Sequence, residues 1–442
     1  MNADETGLQV TGPAGAVAGG DDGPRIVALG DWLRFPHGMA ETHRLKLLAR
    51  ALVESGARVH VLSLQATERP DAVENHAAWG ADRGVTFEYA PGTTLRSDSF
   101  LTRRLVAAWG WTHGAWRLVS LRRSGDMDAV YFLVYAPGPT VRRYAYLGLL
   151  RALGVPVVEE LNECPWPARP GASRWQRLFP ALSGIDGVVA ISRFLSDWAR
   201  LEALRVGKEL TIVDVPIVVD AEEAGPSAAT EDPPLVVFAG SPAYDETVRF
   251  IFAAMREVWR THADCRLAVT GPREGDPASR WLAAAAAEAG VTRQVELRGH
   301  VDRAELLRLY RGARALLIPL FDDTRSRARF PTKIGEYLAS ARPVVSTSVG
   351  EMPRHFTDGV DAVLCPAGDP VSYGRAITGL LDDTARADAI GRHGRRLAET
   401  TFRYASYGPP LREGFAAVIR RASVRRRRAA APACPAAPAG EA

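Results

Sequence analysis

The segment RSRARFPTKIGEYLASARPVV, residues 325–345, combines residue types that bind phosphates and ribose. Pro331 is typical of a first helical turn, which places Thr332 and Lys333 at the start of a helix. A lysine opposes the helix dipole there unless an anion shares the site, so Lys333 is a candidate diphosphate ligand. Glu336 lies one turn further along, and its carboxylate can accept from both ribose hydroxyls. Together they favour a nucleotide sugar; the alternative is a surface helix with a Lys–Glu pair.

Two glycine-containing loops follow predicted strands. Gly38 lies in FPHGMAETHR, where the backbone can turn tightly and the next helix offers free N–H groups to a phosphate or a sugar hydroxyl. Gly240 and Ser241 lie in VFAGSPAYDETVRF, where Ser241 can donate to a phosphate and Arg249 can approach one. For both loops, a plain structural turn is the alternative.

A third candidate is EELNECPWPARPG, at the end of another predicted strand. Its acids Glu160 and Glu163 and its aromatic Trp166 are predicted to face a cleft, where such side chains bind sugars. Glu163 is a candidate general base or a ligand of acceptor hydroxyls, and capping or loop stabilisation is the alternative.

Several other kinds of site are excluded. The chain contains neither GxSxG nor a phosphate-binding P-loop, and its nine histidines lack the paired spacing of a metal site. Four cysteines lie far apart without a CxxC pair, which argues against disulfides and zinc and favours a reducing cytoplasm. The net charge of +4 is too small to indicate nucleic-acid binding. Only three of the 55 basic residues are lysine, so Lys333 stands out.

The elements that position these candidates alternate between strand and helix over most of the 442 residues. This alternation occurs twice around a Pro-, Ala- and acid-rich break, which predicts two doubly wound α/β domains with ligands at the carboxyl ends of the strands. The predicted parts are a disordered lead (1–23), a first domain (24–220), a linker (221–234), a second domain (235–401), a final helix (402–421), which the family resemblance given below implies to cross back to the first domain, and a disordered basic and Ala/Pro tail (422–442).

At this point the chain resembles glycosyltransferase family 4, whose fold is GT-B: two Rossmann-like doubly wound domains facing across a cleft. The resemblance runs from FAGSPAY through VELRGHVDRAELLRLYRGARALLIPL and FPTKIGEYLASARPVVSTSVG to DGVDAVLCPAGDP, about 170 residues. The first half is similar in FPHGMAETHRLKLLARALVESGARVHVLSL and in VVAISRFLSDW. The resemblance assigns the nucleotide-sugar site to the second domain and the acceptor side to the first.

The resemblance also assigns roles to particular residues. Glu336 matches the family's second motif glutamate and is implied to bind the ribose, while Ala328 replaces the first motif glutamate. The motif Pro-x-Lys-x-x-Glu-Tyr, ending at Tyr337, matches one branch of the family. The basic pair usual at the start of the second domain is missing, with Ser241 at its first position. The implied donor-binding set is Gly38, Gly240, Ser241, Arg249, Arg327, Arg329, Phe330, Thr332, Lys333 and Glu336.

These features imply a retaining glycosyltransferase of hexosyltransferase type. It would move a sugar from a nucleotide diphospho-sugar to a glycan, a lipid-linked sugar or a small glycoside. The family lacks a clear protein nucleophile, so Glu163 is only a candidate catalytic residue, and no metal or cofactor is expected beyond the nucleotide-sugar co-substrate. The alternatives are a GT-B sugar-nucleotide epimerase or phosphorylase, and a non-catalytic nucleotide-sugar-binding homologue.

Two basic segments are candidates for contact with a membrane surface. No apolar run reaches the length of a spanning helix, and no signal peptide is recognised, so the expected location is cytoplasmic. RRASVRRRR, residues 420–428, can contact anionic lipid peripherally or remain a solvated tail. The amphipathic pattern over 99–122 can also face a membrane, but its three tryptophans are expected to pack into the core.

Overall fold

The computed structural model describes residues 23–133, 140–169, 171, 181–225, 229–240, 245–273 and 275–430. Ser241 therefore lies outside the described residues, as do most of the predicted lead and the tail from residue 431. Two sheets, one on each side of the predicted linker, organise what is described.

The first sheet contains eight strands in the described part, ordered β3-β4-β2-β1-β5-β6-β7-β8, and only the β3–β4 pair is antiparallel. Its central strands are buried because they consist of Val, Ile, Leu, Ala and aromatic residues. The strands are β1 (Arg25–Gly30), β2 (Arg58–Ser63), β3 (Trp79–Asp82), β4 (Val85–Tyr89), β5 (Ala129–Leu133), β6 (Val157–Leu161), β7 (Gly187–Ala190) and β8 (Thr211–Asp214). The helices are α1 (Ala40–Glu54), α2 (Phe100–Ser124), α3 (Val141–Ala152) and α4 (Arg193–Arg205).

The second sheet contains six parallel strands in the described part, ordered β11-β10-β9-β12-β13-β14. They are β9 (Leu235–Ala239), β10 (Arg266–Thr270), β11 (Val295–Gly299), β12 (Ala315–Ile318), β13 (Val344–Thr347) and β14 (Val363–Cys365). The helices are α5 (Asp245–Val258), α6 (Pro277–Glu288), α7 (Arg303–Gly312), α8 (Thr324–Ala328), α9 (Lys333–Ala339), α10 (Met352–His355), α11 (Pro370–Asp382) and α12 (Thr384–Glu399). Parallel strands direct all their carboxyl ends to one edge, where ligands bind in such sheets.

The chain crosses between the domains twice, side by side. Val219, after the first sheet, donates its N–H to Phe402 O and accepts from Tyr404 N–H, so the outgoing and returning segments are hydrogen-bonded. A final helix, α13 (Gly408–Ala430), then packs on the first domain, where Phe415 meets Tyr131 edge to face at 5.6 Å.

The helix α13 corrects the predicted boundary of the C-terminal tail. Residues 422–430 were expected to be disordered but continue the helix to Ala430. Burial of Ala422 and an ion pair between Arg425 and Asp186 account for this extension, because both attach the last turns to the first domain.

The helix α2 corrects a second expectation, that the tryptophans of 99–122 pack into the core. Trp109 and Trp116 are each 58% exposed, and only Gly110, Gly114 and Leu118 of this 25-residue helix are buried. The helix contacts the protein along a narrow stripe that contains two glycines, and Trp111 is partly buried against the core beside it. The expectation is therefore wrong for Trp109 and Trp116, which point away from that stripe, and not for Trp111.

Candidate active site between the two domains

The carboxyl edges of the two sheets face each other and bring the candidate segments together. Ser192, at the start of α4, donates to Ala328 O in the second domain at 2.6 Å. Arg193 N–H donates to Glu351 at 2.8 Å. These bonds hold the start of α4, after β7, against the segments that follow β12 and β13. Glu163, in the loop after the neighbouring strand β6, lies opposite Arg329.

Lys333 lies at the carboxyl end of β9, next to Gly240. A site that binds the diphosphate of a sugar donor at this strand end requires a cation there. The ammonium of Lys333 donates to Ala239 O at 2.7 Å, and the hydroxyl of Tyr337, one turn along α9, accepts from Ala239 N–H at 3.0 Å. Burial lowers the pKa of Lys333, while the nearby Glu336 acts in the opposite direction. The structure thus brings Lys333 to the residue before Gly240, although 94 positions separate Lys333 from Ala239.

Glu336 is buried and bound to a residue that the motif did not indicate. Arg303, the first residue of α7, donates to Glu336 at 2.7 Å and to Glu223 at 3.2 Å. His43 of α1 approaches Glu336 at 3.8 Å from the first domain, and burial lowers the pKa of its imidazole. The predicted ribose ligand is therefore one member of a charged cluster that joins the two domains.

Sequence spacing does not reveal Arg303 and His43. Arg303 is 33 residues from Glu336, and His43 is in the other domain. The only signal in the sequence for these two residues is their place along the chain: Arg303 begins the helix after β11, and His43 lies in the helix after the Gly38 loop.

Glu163 faces the second domain, where Arg329 lies 3.8 Å away. The surrounding walls desolvate the carboxyl and raise its pKa, against the attraction of Arg329. Desolvation likewise raises the pKa of Glu41 in the first turn of α1, and the charge of Glu163 adds to this. Two carboxyls with raised pKa values and one arginine therefore share this part of the cleft, and Glu41 was missed from sequence.

The predicted partners of Glu163 do not face the cleft. Glu160 is buried and accepts from Arg44 at 2.7 Å, so it neutralises an internal arginine. Trp166 is also buried and lies beneath the guanidinium of Arg143, 4.9 Å from its ring centre. The expectation that Glu160 and Trp166 contact a sugar is wrong, because interior arginines occupy both side chains.

The Gly38 loop lies where it was predicted, between β1 and α1. Its neighbour His37 exchanges two main-chain hydrogen bonds of 2.8 Å with the Asn75 amide. A Cβ added at Gly38 would lie 2.4 Å from the Thr42 hydroxyl oxygen, so a larger residue would disturb the start of the helix.

Two arginines that were predicted to bind phosphate form ion pairs away from Lys333. Arg249 is half-exposed on α5 and pairs with Asp245 at 2.8 Å and with Glu288 at 2.9 Å. Arg327 is exposed and pairs with Asp322 at 2.6 Å. The structure brings neither arginine to Lys333.

The segment before α9 contributes backbone and packing. Phe330 is fully buried, stacks on His355 and meets Phe402 edge to face, so its side chain does not face a ligand. Thr332 is the N-cap of α9, with no side-chain capping bond. Ala328 is fully buried beneath Ser192, so its position is occupied by an interdomain contact.

The described residues offer no group of three or more His, Cys, Asp or Glu able to hold a metal ion. Within the same described residues, every helix is too short or too polar to cross a bilayer. In the 420–428 cluster, Arg421 pairs with Glu209, Arg425 pairs with Asp186, and Arg426 donates to Gly154 O. Lipid contact by this cluster stays a prediction.

Comparison with known proteins identifies the second domain. Residues 233–383 match the family model described as Glycosyl transferases group 1. A glycogen synthase of Mycobacterium tuberculosis is 28% identical over 170 residues, 38% of this chain and 39% of that protein. The chain therefore matches less than half the length of that relative. The D-inositol 3-phosphate glycosyltransferase 1 of Catenulispora acidiphila is 26% identical over 77% of this chain and 82% of its own.

Solved structures give the fold of the whole chain. Sucrose-phosphate synthase from Thermosynechococcus elongatus aligns with a TM-score of 0.65 at 13% identity, covering 92% of this chain and 99% of that protein. Anabaena HepE, solved in complex with UDP and glucose, aligns with a TM-score of 0.61 at 14% identity, covering 89% and 99%. The predicted GT-B fold is confirmed, and residues 233–383 of the second domain are similar to the group 1 glycosyl transferase family. The Pro-x-Lys-x-x-Glu-Tyr branch stays a prediction.

Proposed function

We propose that this protein is a retaining glycosyltransferase that moves a sugar from a nucleotide diphospho-sugar to a glycan, a lipid-linked sugar or a small glycoside. The observation that carries the proposal is Lys333, a partly buried lysine at the carboxyl end of β9 beside Gly240. Its ammonium is held by one main-chain carbonyl, which a donor diphosphate can replace as a stronger, charge-assisted partner. The match of this domain to a glycosyl transferase family and the UDP complex of HepE support the choice of ligand.

The chemistry follows from charge placement. Departure of the nucleoside diphosphate develops negative charge beside Lys333 and the backbone N–H groups at Gly240, and groups already oriented there stabilise it. Across the cleft, Glu163 lies where an acceptor hydroxyl can be held, with Arg329 opposite it. We assign Glu163 to acceptor orientation or proton transfer. The proposed reaction uses no metal or cofactor.

The proposed compartment is a reducing cytoplasm. The three cysteines in the described part, Cys164, Cys265 and Cys365, are free and buried. Free thiols at interior positions are typical of proteins that fold without disulfides.

The decisive experiment compares two lysines by thermal shift with a panel of nucleoside diphosphates. Lys333→Met should abolish stabilisation by the nucleotide that protects the wild type. Lys208→Met is the matched control, because Lys208 also donates to a main-chain carbonyl, Leu182 O at 3.0 Å, and burial also lowers its pKa. Equal loss in both variants would refute the donor site.

A second candidate function is a non-catalytic nucleotide-sugar-binding protein. The specific observation in its favour is Ala328, which replaces a motif glutamate and is buried in an interdomain contact. Turnover distinguishes the two functions. Both proteins would bind a nucleotide, but only the transferase would hydrolyse or transfer the sugar of a bound donor. An epimerase would instead convert the sugar nucleotide without an acceptor.

A further inference from the structure

The helix α2 presents an apolar face to solvent. Its outer face, which we define as Leu101, Leu105, Trp109 and Trp116, repeats at intervals of four and seven residues and so forms one stripe. Both leucines are 71% exposed and both tryptophans 58%. At about 100° per residue this stripe lies roughly opposite the buried Gly110, Gly114 and Leu118, so it cannot turn into the core while the helix stays docked.

The helix is held firmly in this orientation. Trp111 donates its indole N–H to Asp31 at 2.9 Å, and its carbonyl accepts from the Tyr146 hydroxyl at 2.6 Å. Arg117 makes two bonds to Glu88, of 2.6 and 2.9 Å. A Cβ added at Gly110 would lie 2.3 Å from Leu64 O, which shows how closely the helix approaches the end of β2. These contacts therefore fix the orientation of α2 and keep its outer face exposed to solvent.

The rings of the outer face are also ordered among themselves. His113 stacks between Trp109 and Trp116, with ring centres 5.3 and 5.2 Å apart. The two indoles are thereby spaced along one side of the helix. Tryptophan at such a position is typical of the boundary between water and lipid, because the ring is apolar and its N–H is polar.

The charge of the helix is entirely positive. Its 25 residues include five arginines and no acid. Arg103, Arg104 and Arg123 have no ion pair with an acidic residue in the described part of the chain, whereas Arg117 is neutralised by Glu88. At about 100° per residue, Arg123 lies within the outer face and the exposed Arg104 lies at its edge, whereas Arg103 lies on the docked side. Exposed arginines next to exposed Leu and Trp residues are typical of an interfacial helix, which attracts anionic headgroups and inserts apolar side chains.

We propose that the outer face of α2 docks the protein on a membrane surface that contains anionic lipid. A second copy of this chain is the poorer occupant, because an antiparallel contact centred on the two tryptophans would bring Arg104 of one copy near Arg123 of the other. The charge pattern instead complements a continuous negative surface. The proposal concerns binding alone and does not depend on the proposed sugar transfer.

The position of α2 gives the docking a consequence for the cleft. Its buried stripe contacts residues at the carboxyl ends of β2 and β4, Leu64 and Ala90, and Trp111 is bonded to Asp31 just after β1. These are the strand ends from which the Gly38 loop and the acceptor side of the cleft begin. A membrane bound at α2 therefore lies next to the acceptor side, which favours an acceptor carried by lipid.

The test is vesicle cosedimentation of the full chain without any nucleotide. We expect binding to phosphatidylcholine vesicles that contain about 30% phosphatidylglycerol, weaker binding to phosphatidylcholine alone, and a decrease as salt is raised. Trp109→Ser combined with Trp116→Ser should lower the partition coefficient about tenfold or more. Arg104→Gln with Arg123→Gln should remove most of the salt dependence.

The controls use exposed residues elsewhere. Trp79→Ser, on the edge strand β3, and Leu204→Ser, on α4, remove comparably exposed apolar groups and should leave vesicle binding unchanged. Arg427→Gln tests the C-terminal cluster. Absence of vesicle binding by the wild type, equal loss in the controls, or a dimer that the double tryptophan variant dissociates would each overturn the proposal. Unchanged UDP binding by that variant would show that it remains folded.

Discussion

At the scale of single residues, the two interior lysines show how one chemical group is used in two ways. Lys208 and Lys333 each donate to a main-chain carbonyl, and burial lowers the pKa of both. Lys208 closes a loop of the first domain, whereas Lys333 lies at a strand end beside Gly240. A desolvated cation whose hydrogen-bond partner is a neutral carbonyl is stabilised when an anion binds beside it, because the anion offsets the desolvation of the ammonium.

This difference predicts how nucleotide affinity changes with pH. Since burial lowers the pKa of Lys333, its ammonium should lose its proton at a lower pH than the usual value of about 10.4. Above pH about 7.5 a diphosphate is already fully ionised, so the affinity for a nucleoside diphosphate should fall with rising pH as Lys333 becomes neutral. Calorimetry in buffers of different ionisation enthalpy should also show proton uptake on binding.

Lys333→Met should flatten this pH dependence, and Lys208→Met should preserve it. A decline of equal slope in wild type and Lys333→Met would assign the effect to another group and contradict the role of Lys333.

At the scale of elements, one carboxylate connects α2 to the sheet. Glu88 of β4 accepts two bonds from Arg117, and His60 of the neighbouring strand β2 lies 3.6 Å away. Burial alone would raise the pKa of Glu88, but the bonds from His60 and Arg117 prevail and lower it to about 2. The ion pair thus holds α2 on β4 while the outer face of the helix remains in water.

The lowered pKa gives this contact a defined pH window. A carboxyl whose folded-state pKa is about 2 and whose ordinary value is 4.5 stabilises the fold fully above pH 4.5, and this contribution is lost as pH falls toward 2. Glu88→Gln should therefore lower the free energy of unfolding by about 2–3 kcal/mol near pH 7. The difference should shrink toward zero near pH 2, as measured by denaturant titration.

Asp71→Asn is the matched control for Glu88→Gln. Its partner Arg69 also makes two bonds to the carboxylate, of 3.1 and 3.2 Å, but the pair is exposed and should contribute little. A pH-independent loss of stability in Glu88→Gln would show that packing, not charge, connects α2 to the sheet.

At the scale of the whole molecule, the last helix makes the fold one unit. The chain returns from the second domain beside its outgoing segment, and α13 then covers the first sheet through Phe415, Val418 and Ala422. Phe415 is fully buried against Tyr131 of β5. The first domain therefore needs residues from both ends of the described chain.

Phe415→Ala should destabilise the first domain by about 3–5 kcal/mol, because it leaves a large cavity against the sheet. Hydrogen exchange should accelerate in β1 and β5 while β9 and β12 keep their protection. Arg427→Ala, near the exposed end of the same helix, is the control. Equal acceleration in both sheets would show that α13 stabilises the interface and not the first domain.

The sequence alone predicted the two-domain α/β fold and the position of Lys333. Strand and helix alternate in runs whose burial patterns are local, and parallel sheets send every strand end to one edge, so Lys333 and Gly240 were expected together. The second domain and the glycine loops followed from the same local rules, whereas the crossing of the last helix was implied by the family resemblance. Burial of Glu160 and Trp166 did not, because their neighbours Arg44 and Arg143 come from other helices.

Tertiary structure decided which charges meet and which faces stay in water. Arg303 and His43 reach Glu336 from separate helices, and Ser192 covers Ala328 from the other domain. The sequence showed that α2 is amphipathic, but only the packing showed that Gly110 and Gly114, and not Trp109 and Trp116, face the sheet. Helical periodicity reports that two faces differ; which face is buried depends on the shape of what it packs against, and residues distant in sequence supply that shape.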